Sequence, residues 1–87
     1  MNAAEIRMLF EPIIAITCYE AGWVGEIPRL EKRGWFWTVR TSSYWKMVAI
    51  INDDIQMSFE NIVKITREVI RHEQSHRADA EPTEGDA

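Results

Sequence analysis

The chain has 87 residues, of which 46% are hydrophobic and 28% charged, so it is long enough for one small globular domain and is not disordered throughout. The formal net charge of −4 at pH 7 argues against a protein that coats duplex DNA by bulk electrostatics. The single cysteine, Cys18, excludes an internal disulfide and a metal site built from cysteines.

The spacing of apolar residues predicts a first helix over residues 1–22, through Ile6, Leu9, Phe10, Ile13 and Ile16. Pro12 lacks the amide hydrogen that a helix interior needs, so we expect a break or a kink there. Gly22 stands where a C-cap glycine belongs, and Trp23 follows it to close the hydrophobic contact. Because β-branched residues are frequent between Ile13 and Tyr19, a strand in that segment is the alternative.

Residues 23–34 predict a connection without regular structure. Gly25, Pro28 and Gly34 interrupt any helical or strand period in this segment. Pro28 also favours an extended or turn geometry in the residue before it. We therefore interpret the segment as the link between the first helix and the strands that follow.

Residues 35–51 predict a β-hairpin, because aromatic and β-branched side chains dominate them. Ser42-Ser43 marks the turn, and with that loop Arg40 pairs with Trp45 and Trp37 with Val48. Strand alternation places Trp35, Trp37, Val39, Tyr44, Lys46, Val48 and Ile50 on one face. The other face carries Phe36, Thr38, Arg40, Trp45, Met47, Ala49 and Ile51. Both faces are rich in apolar groups, so alternation does not say which one covers the core.

An amphipathic helix from Phe59 to about His76 is the clearest element, with a stripe of Phe59, Ile62, Val63, Thr66, Val69 and Ile70. Ser58 is the predicted N-cap, and Met57 and Ile62 occupy the positions of a hydrophobic staple. Residues 79–87 contain four acidic residues and no large apolar side chain. We therefore expect a disordered acidic tail after a single domain of residues 1–78.

These elements predict an α+β fold, in which an N-terminal helix and a C-terminal amphipathic helix cover a β-hairpin or a three-stranded antiparallel sheet. A lone hairpin is marginal in water, so the helices must cover one of its faces. The first ten residues lack a basic leader pattern, and the apolar run from Pro12 to Ala15 is too short to span a bilayer. We therefore expect a cytoplasmic protein that does not contact membranes.

The segment His72-Glu73-Gln74-Ser75-His76 matches the H-E-x-x-H pattern of zinc proteases. Two histidines four residues apart on a helix project to one side and can both ligate zinc, while the glutamate acts as general base. A catalytic zinc also needs a third protein ligand, and the chain has only two histidines. We interpret the match as a polar helix end whose cations complement the helix dipole, and we predict no metal, no cofactor and no enzymatic activity.

Residues 29–46 interleave bases with aromatics, since they hold five basic residues, one acidic residue and three of the four tryptophans. Outward aromatics with nearby cations form a stacking platform for single-stranded nucleic acid or a nucleotide. The same residue types dominate protein-binding hot spots. The alternative is that the tryptophans are core residues and that Arg40 makes a cation–π pair with Trp45. The candidate binding residues are Arg33, Trp37, Arg40, Tyr44, Trp45 and Lys46.

For function we expect a small, acidic, non-enzymatic module that binds another protein and acts as an inhibitor or adaptor by occupying its surface. A phage or mobile-element protein acting on a host complex fits this description. The alternative is single-stranded nucleic-acid or nucleotide binding through the hairpin, and a zinc hydrolase is a remote third hypothesis. The sequence leaves open the identity of the partner and whether the chain forms a homo-oligomer.

Overall fold

Two helices and a three-stranded antiparallel sheet make up the computed structural model, which describes the backbone of residues 1–80 and the side chains of residues 1–76. The elements are α1 (Ala3–Glu20), β1 (Arg29–Arg33), β2 (Phe36–Arg40), β3 (Trp45–Val48) and α2 (Ile55–Ala80). The predicted α+β fold is confirmed. Asp79 and Ala80 of the predicted acidic tail belong to α2, and residues 81–87 lie outside the described residues. No helix in the described part of the chain is long and apolar enough to cross a membrane.

Helix α1 is continuous, so the predicted break at Pro12 and the alternative strand are both wrong. A capping box starts the helix: the Asn2 side chain accepts the Glu5 amide at 2.9 Å, and Glu5 Oε1 accepts the Asn2 amide at 2.9 Å. Pro12 removes only the hydrogen bond to the carbonyl of Met8. Both residues lie on the exposed side of α1, where water can bind that carbonyl, so the helix tolerates the proline.

The end of α1 confirms the predicted glycine cap. Ala21 is the C-cap, and Gly22 follows with a φ of +73°, a left-handed conformation that favours glycine. The amide of Trp23 donates to the carbonyl of Cys18 at 3.0 Å, and the amide of Gly22 donates to that of Tyr19 at 3.0 Å. This Schellman motif turns the chain sharply, and Trp23 enters the core directly after it.

The sheet has three strands, one of the two arrangements predicted, but the position of the third strand was not predicted. β1 lies within residues 23–34, so the interpretation of that segment as a connection is wrong for its last part. β1 pairs antiparallel with β2, with Leu30 opposite Val39 and Arg33 opposite Phe36. Only Leu30 is buried in β1, so this edge strand lacks the apolar alternation that predicts a strand. Gly34, with a φ of +65°, forms the turn with Trp35, which therefore precedes β2 rather than starting a strand as predicted.

The predicted register of the hairpin is confirmed, since Trp37 lies opposite Val48 and Arg40 opposite Trp45. β2 is the central strand, and its inner face contributes Trp37 and Val39 to the core. Helix α1 packs on β1 and α2, and α2 packs on β2 and β3. The buried core consists of Ile6, Phe10, Ile14, Cys18, Trp23, Leu30, Trp37, Val39, Val48, Ile62, Val69 and Ile70. Both helices therefore lie on one side of the sheet.

Helix α2 begins at Ile55, four residues before the predicted start at Phe59. Asp54 caps it, because its Oδ1 accepts the amide of Met57 at 3.0 Å. Ser58 is thus not the N-cap, and the predicted staple between Met57 and Ile62 is also wrong, since Met57 is exposed inside the first turn. The buried Ser58 hydroxyl accepts the amide of Ile51 at 2.7 Å, which fixes the segment between β3 and α2.

Candidate functional site

The outer face of the sheet, opposite the helices, is the strongest candidate site. The register places eight side chains on it: Arg29, Glu31 and Arg33 of β1, Phe36, Thr38 and Arg40 of β2, and Trp45 and Met47 of β3. None of them belongs to the hydrophobic core cluster, and Thr38 on the central strand is the one buried residue among them. The question left open by the sequence is thereby answered, because the face with Trp37, Val39 and Val48 covers the core.

Apolar side chains form a group on the outer face that we call the aromatic cluster, which consists of Trp35, Phe36, Trp45 and Met47. Trp35 approaches Phe36 edge-on, with ring centroids 5.2 Å apart, and Phe36 lies 6.1 Å from the ring of Trp45 on β3. Trp35 is 84% exposed and Trp45 is 44% exposed. Large apolar groups that touch one another and remain in contact with water mark an interaction surface more often than isolated ones do.

An open apolar groove of about 390 Å³ adjoins the aromatic cluster. It lies where β2 begins and β3 ends, and it is lined by Trp35, Phe36, Trp37, Met47, Val48, Ala49 and Ile50. A concave apolar recess beside exposed rings can accept a side chain from a binding partner.

Arginines surround the aromatic cluster, but their contacts differ from those predicted. The Arg33 guanidinium lies over the ring of Trp45, 4.9 Å from its centroid. Arg40 Nε lies 3.3 Å from Glu31 Oε1, so the predicted cation–π pair of Arg40 with Trp45 is wrong. The reason is the unexpected strand β1, which supplies both a carboxylate for Arg40 and a second arginine for Trp45. The outer face carries three arginines and one glutamate in a chain whose net charge is −4.

Three of the six predicted binding residues do not lie on the outer face. Trp37 is 7% exposed and belongs to the core. Lys46 Nζ lies 2.7 Å from Glu68 Oε1 on α2, and this hydrogen bond raises the pKa of Lys46 and lowers that of Glu68. Tyr44 is half-buried and stacks on His72, with ring centroids 3.6 Å apart. The structure thus brings together only Arg33, Arg40 and Trp45 from the predicted set.

The H-E-x-x-H segment of α2 contacts the turn between β2 and β3. Glu73 Oε2 accepts the hydroxyls of Thr41 at 2.7 Å and Ser43 at 2.9 Å. The ring of His72 stacks between those of Tyr44 and His76. The ring centroids of His72 and His76 are 5.0 Å apart. His72 and Glu73 are half-buried, so the interpretation of this segment as a polar helix end is wrong for these two residues. Their contacts hold the hairpin turn against α2.

We expect the purified protein to contain no stoichiometric zinc. Catalytic zinc needs three protein ligands, and the described residues contain no group of three or more histidine, cysteine, aspartate and glutamate side chains placed to hold a metal ion. Two hydroxyls already occupy one carboxylate oxygen of Glu73. Elemental analysis checks this expectation. One zinc per chain, lost in the His72→Ala variant, would show that the motif does bind metal.

Sequence reasoning missed Trp35, Phe36 and Met47 as members of the candidate site. The alternation of the hairpin already placed Phe36 and Met47 with Trp45 on one face, so this signal was available. It could not be used without knowing which face the helices cover. Comparison of the chain with protein-family models, with curated proteins and with solved structures found no match.

Proposed function

We propose that this protein is a non-enzymatic protein-binding module, an inhibitor or adaptor, that engages its partner through the outer face of the sheet. The observation that carries the proposal is the aromatic cluster on a sheet face that neither helix covers. An antiparallel sheet with one solvated face normally presents polar side chains there. Exposed tryptophans beside arginines are instead the composition of an interface hot spot.

The charges and shape of the outer face support a partner surface that combines an apolar side chain with carboxylates. The groove beside Trp35 and Met47 can take the apolar side chain. Arg33 keeps its guanidinium over Trp45, and a guanidinium stacked in this way can still donate to a carboxylate in its own plane. Excess positive charge on the outer face, in a chain of negative net charge, favours an acidic partner surface and sets its orientation.

The non-enzymatic part of the proposal is supported by the contacts of the reactive side chains. Glu73 and His72 hold the turn between β2 and β3, as described above. The lone thiol, Cys18, is buried in the core, and desolvation raises its pKa. Burial therefore disfavours the thiolate that a nucleophilic cysteine needs.

A second candidate function, binding of single-stranded nucleic acid or a nucleotide, is favoured by the pairing of Arg33 with Trp45. Exposed rings with adjacent cations allow bases to stack while the cations contact phosphates. The exposed ring of Trp35, which contacts Phe36, provides a further stacking surface.

The Trp45→Ala variant tests the proposal. We expect it to stay folded, with a loss of about 1 kcal/mol or less, because Trp45 is partly exposed and lies outside the core. We expect its affinity for a protein captured by the native chain to fall by about tenfold or more. Phe59→Ala is the matched control, since Phe59 is similarly exposed but lies on α2, and its affinity should be unchanged.

Two measurements separate the candidate functions. Affinity for the captured protein is measured for the native chain and both variants, and an unchanged value in Trp45→Ala contradicts binding through the outer face. Titration with a labelled single-stranded oligonucleotide is performed at low and high salt. Salt-sensitive binding that Trp45→Ala abolishes would favour the nucleic-acid function over the protein-binding one.

A further inference from the structure

Helix α1 is apolar on two opposite faces. Its buried face consists of Ile6, Phe10, Ile14, Thr17 and Cys18. A second set of apolar side chains, Met8, Leu9, Pro12, Ile16 and Tyr19, is exposed. Positions 8, 12, 16 and 19 recur every three or four residues, so they lie on one side of the helix. We call the second set the outer stripe of α1.

The fold does not need the outer stripe of α1. A surface helix normally has one apolar side facing the core and polar residues on the other. Here Met8 is 77% exposed and Tyr19 is 85% exposed. The buried face of α1 packs on β1 and α2, so the outer stripe faces away from the core. Contiguous exposed apolar side chains of this kind mark an interaction surface.

Pro12 gives the middle of the outer stripe a polar feature. It has no amide hydrogen, so the carbonyl of Met8 lacks its usual helical donor. Met8 and Pro12 both belong to the outer stripe, so this carbonyl lies on the same side of α1 as the exposed apolar side chains. A lysine or arginine of a partner could donate to it.

The charges beside the outer stripe decide between a second copy of the chain and a different partner. Glu5 and Glu20 lie on the side of α1 that carries the outer stripe, whereas Arg7 and Glu11 line a recess with Arg29 of β1. Both charges beside the outer stripe are therefore acidic. Pairing two α1 helices would bring this acidic excess against itself, which is unfavourable. A partner with basic residues beside its apolar side chains is complementary instead.

We propose that the outer stripe of α1 binds a helix of another protein, one whose apolar stripe is flanked by lysines or arginines. The stripe from Met8 to Tyr19 spans about 16 Å at the helical rise of about 1.5 Å per residue, a length that three turns of a partner helix match. This site goes beyond the proposed binding through the outer face of the sheet and does not depend on it. With both sites, the protein would join a basic helix to an acidic surface, which is the action of an adaptor.

A pair of synthetic peptides tests this site. One helical peptide carries leucines at positions i, i+4, i+7 and i+11 with lysines beside them, and the other has glutamates in place of the lysines. Binding is measured by the anisotropy of a label on the peptide. We expect the lysine peptide to bind about tenfold or more tightly than the glutamate peptide. This difference in affinity should be larger at low salt, where charges are screened less.

Variants of the protein locate the bound peptide. The double variant Ile16→Gln/Tyr19→Gln should stay folded, because both side chains are exposed, and should weaken binding of the lysine peptide by about tenfold or more. Phe59→Gln is the matched control on α2, and Trp45→Ala is the control on the outer face of the sheet. Neither should change the affinity for the peptide. Thermal melting of each variant verifies that it is folded.

Several results would overturn the proposal. Equal binding of both peptides, or binding of neither, contradicts recognition of a basic helix. A concentration-dependent dimer in sedimentation that the double variant dissociates would show that a second copy covers the outer stripe. Binding of the native chain, but not the double variant, to phosphatidylcholine vesicles would assign the outer stripe to a lipid surface.

Discussion

The Trp37→Ala variant is expected to be largely unfolded or close to its unfolding transition at room temperature. Truncating a buried tryptophan costs about 3–5 kcal/mol, and the whole stability of a small domain is about 5–15 kcal/mol. Trp37 lies on the central strand, with Val48 opposite it on β3 and Lys32 opposite it on β1. Its loss would therefore leave a cavity between the sheet and the helices. Denaturant unfolding followed by circular dichroism measures the effect.

Trp35→Ala is the control for this experiment, because it makes the same chemical change two residues away. Trp35 lies in the exposed turn before β2, so we expect its truncation to change stability by about 0.5 kcal/mol or less. Equal losses in the two variants, or a stable Trp37→Ala protein, would contradict the assignment of Trp37 to the inner face.

Ser58→Ala is expected to destabilise the protein by about 1–3 kcal/mol, because it leaves the partly buried amide of Ile51 without an acceptor. The Ser58 hydroxyl accepts a hydrogen bond from the amide of Ile51. It is also within donating distance of two carbonyl oxygens, that of Ile51 at 3.1 Å and that of Asp54 at 3.0 Å. It is buried, so water cannot replace it at this position. Unfolding in urea, monitored by circular dichroism, gives the free energy.

Asp54→Ala is the matched variant, since it removes the side chain that caps α2. Loss of an exposed N-cap costs about 1 kcal/mol, less than the loss we expect for Ser58. The reverse order, with the larger loss in Asp54→Ala, would show that the cap of α2 contributes more to stability than the hydrogen bonds of the Ser58 hydroxyl and would contradict this prediction.

Features specified by nearby residues could be predicted correctly. The register of β2 and β3 follows from a short loop at Ser42-Ser43, because loop length sets which residues pair. Gly22 ends α1 as expected, because the Schellman motif involves only a few consecutive residues. The helical spacing of apolar residues in α2 is also a local feature, and all the residues that show it are helical.

Errors arose where one local preference competed with another. Asp54 and Ser58 are both good N-cap residues, and the choice between them depends on a hydrogen bond from Ile51 to Ser58. Pro12 disfavours a helix interior locally, but the buried face of α1 continues on both sides of it, and that packing maintains the helix. β1 was not predicted because an edge strand with a single buried side chain shows almost no alternation of apolar and polar residues.

The candidate sites depend on contacts between residues far apart in the chain. Both faces of the hairpin are apolar, so its sequence is compatible with helices on either side. Packing of α2 on β2 and β3, and of α1 on β1 and α2, selects the face with Trp37, Val39 and Val48 as core. The aromatic cluster is exposed only as a consequence. The partner of Arg40 likewise follows from the pairing of β1 with β2, which brings Glu31 within reach. The residue pattern of this chain therefore specifies its helices and its hairpin register, whereas the surfaces available for binding are set by which of its apolar faces the core uses.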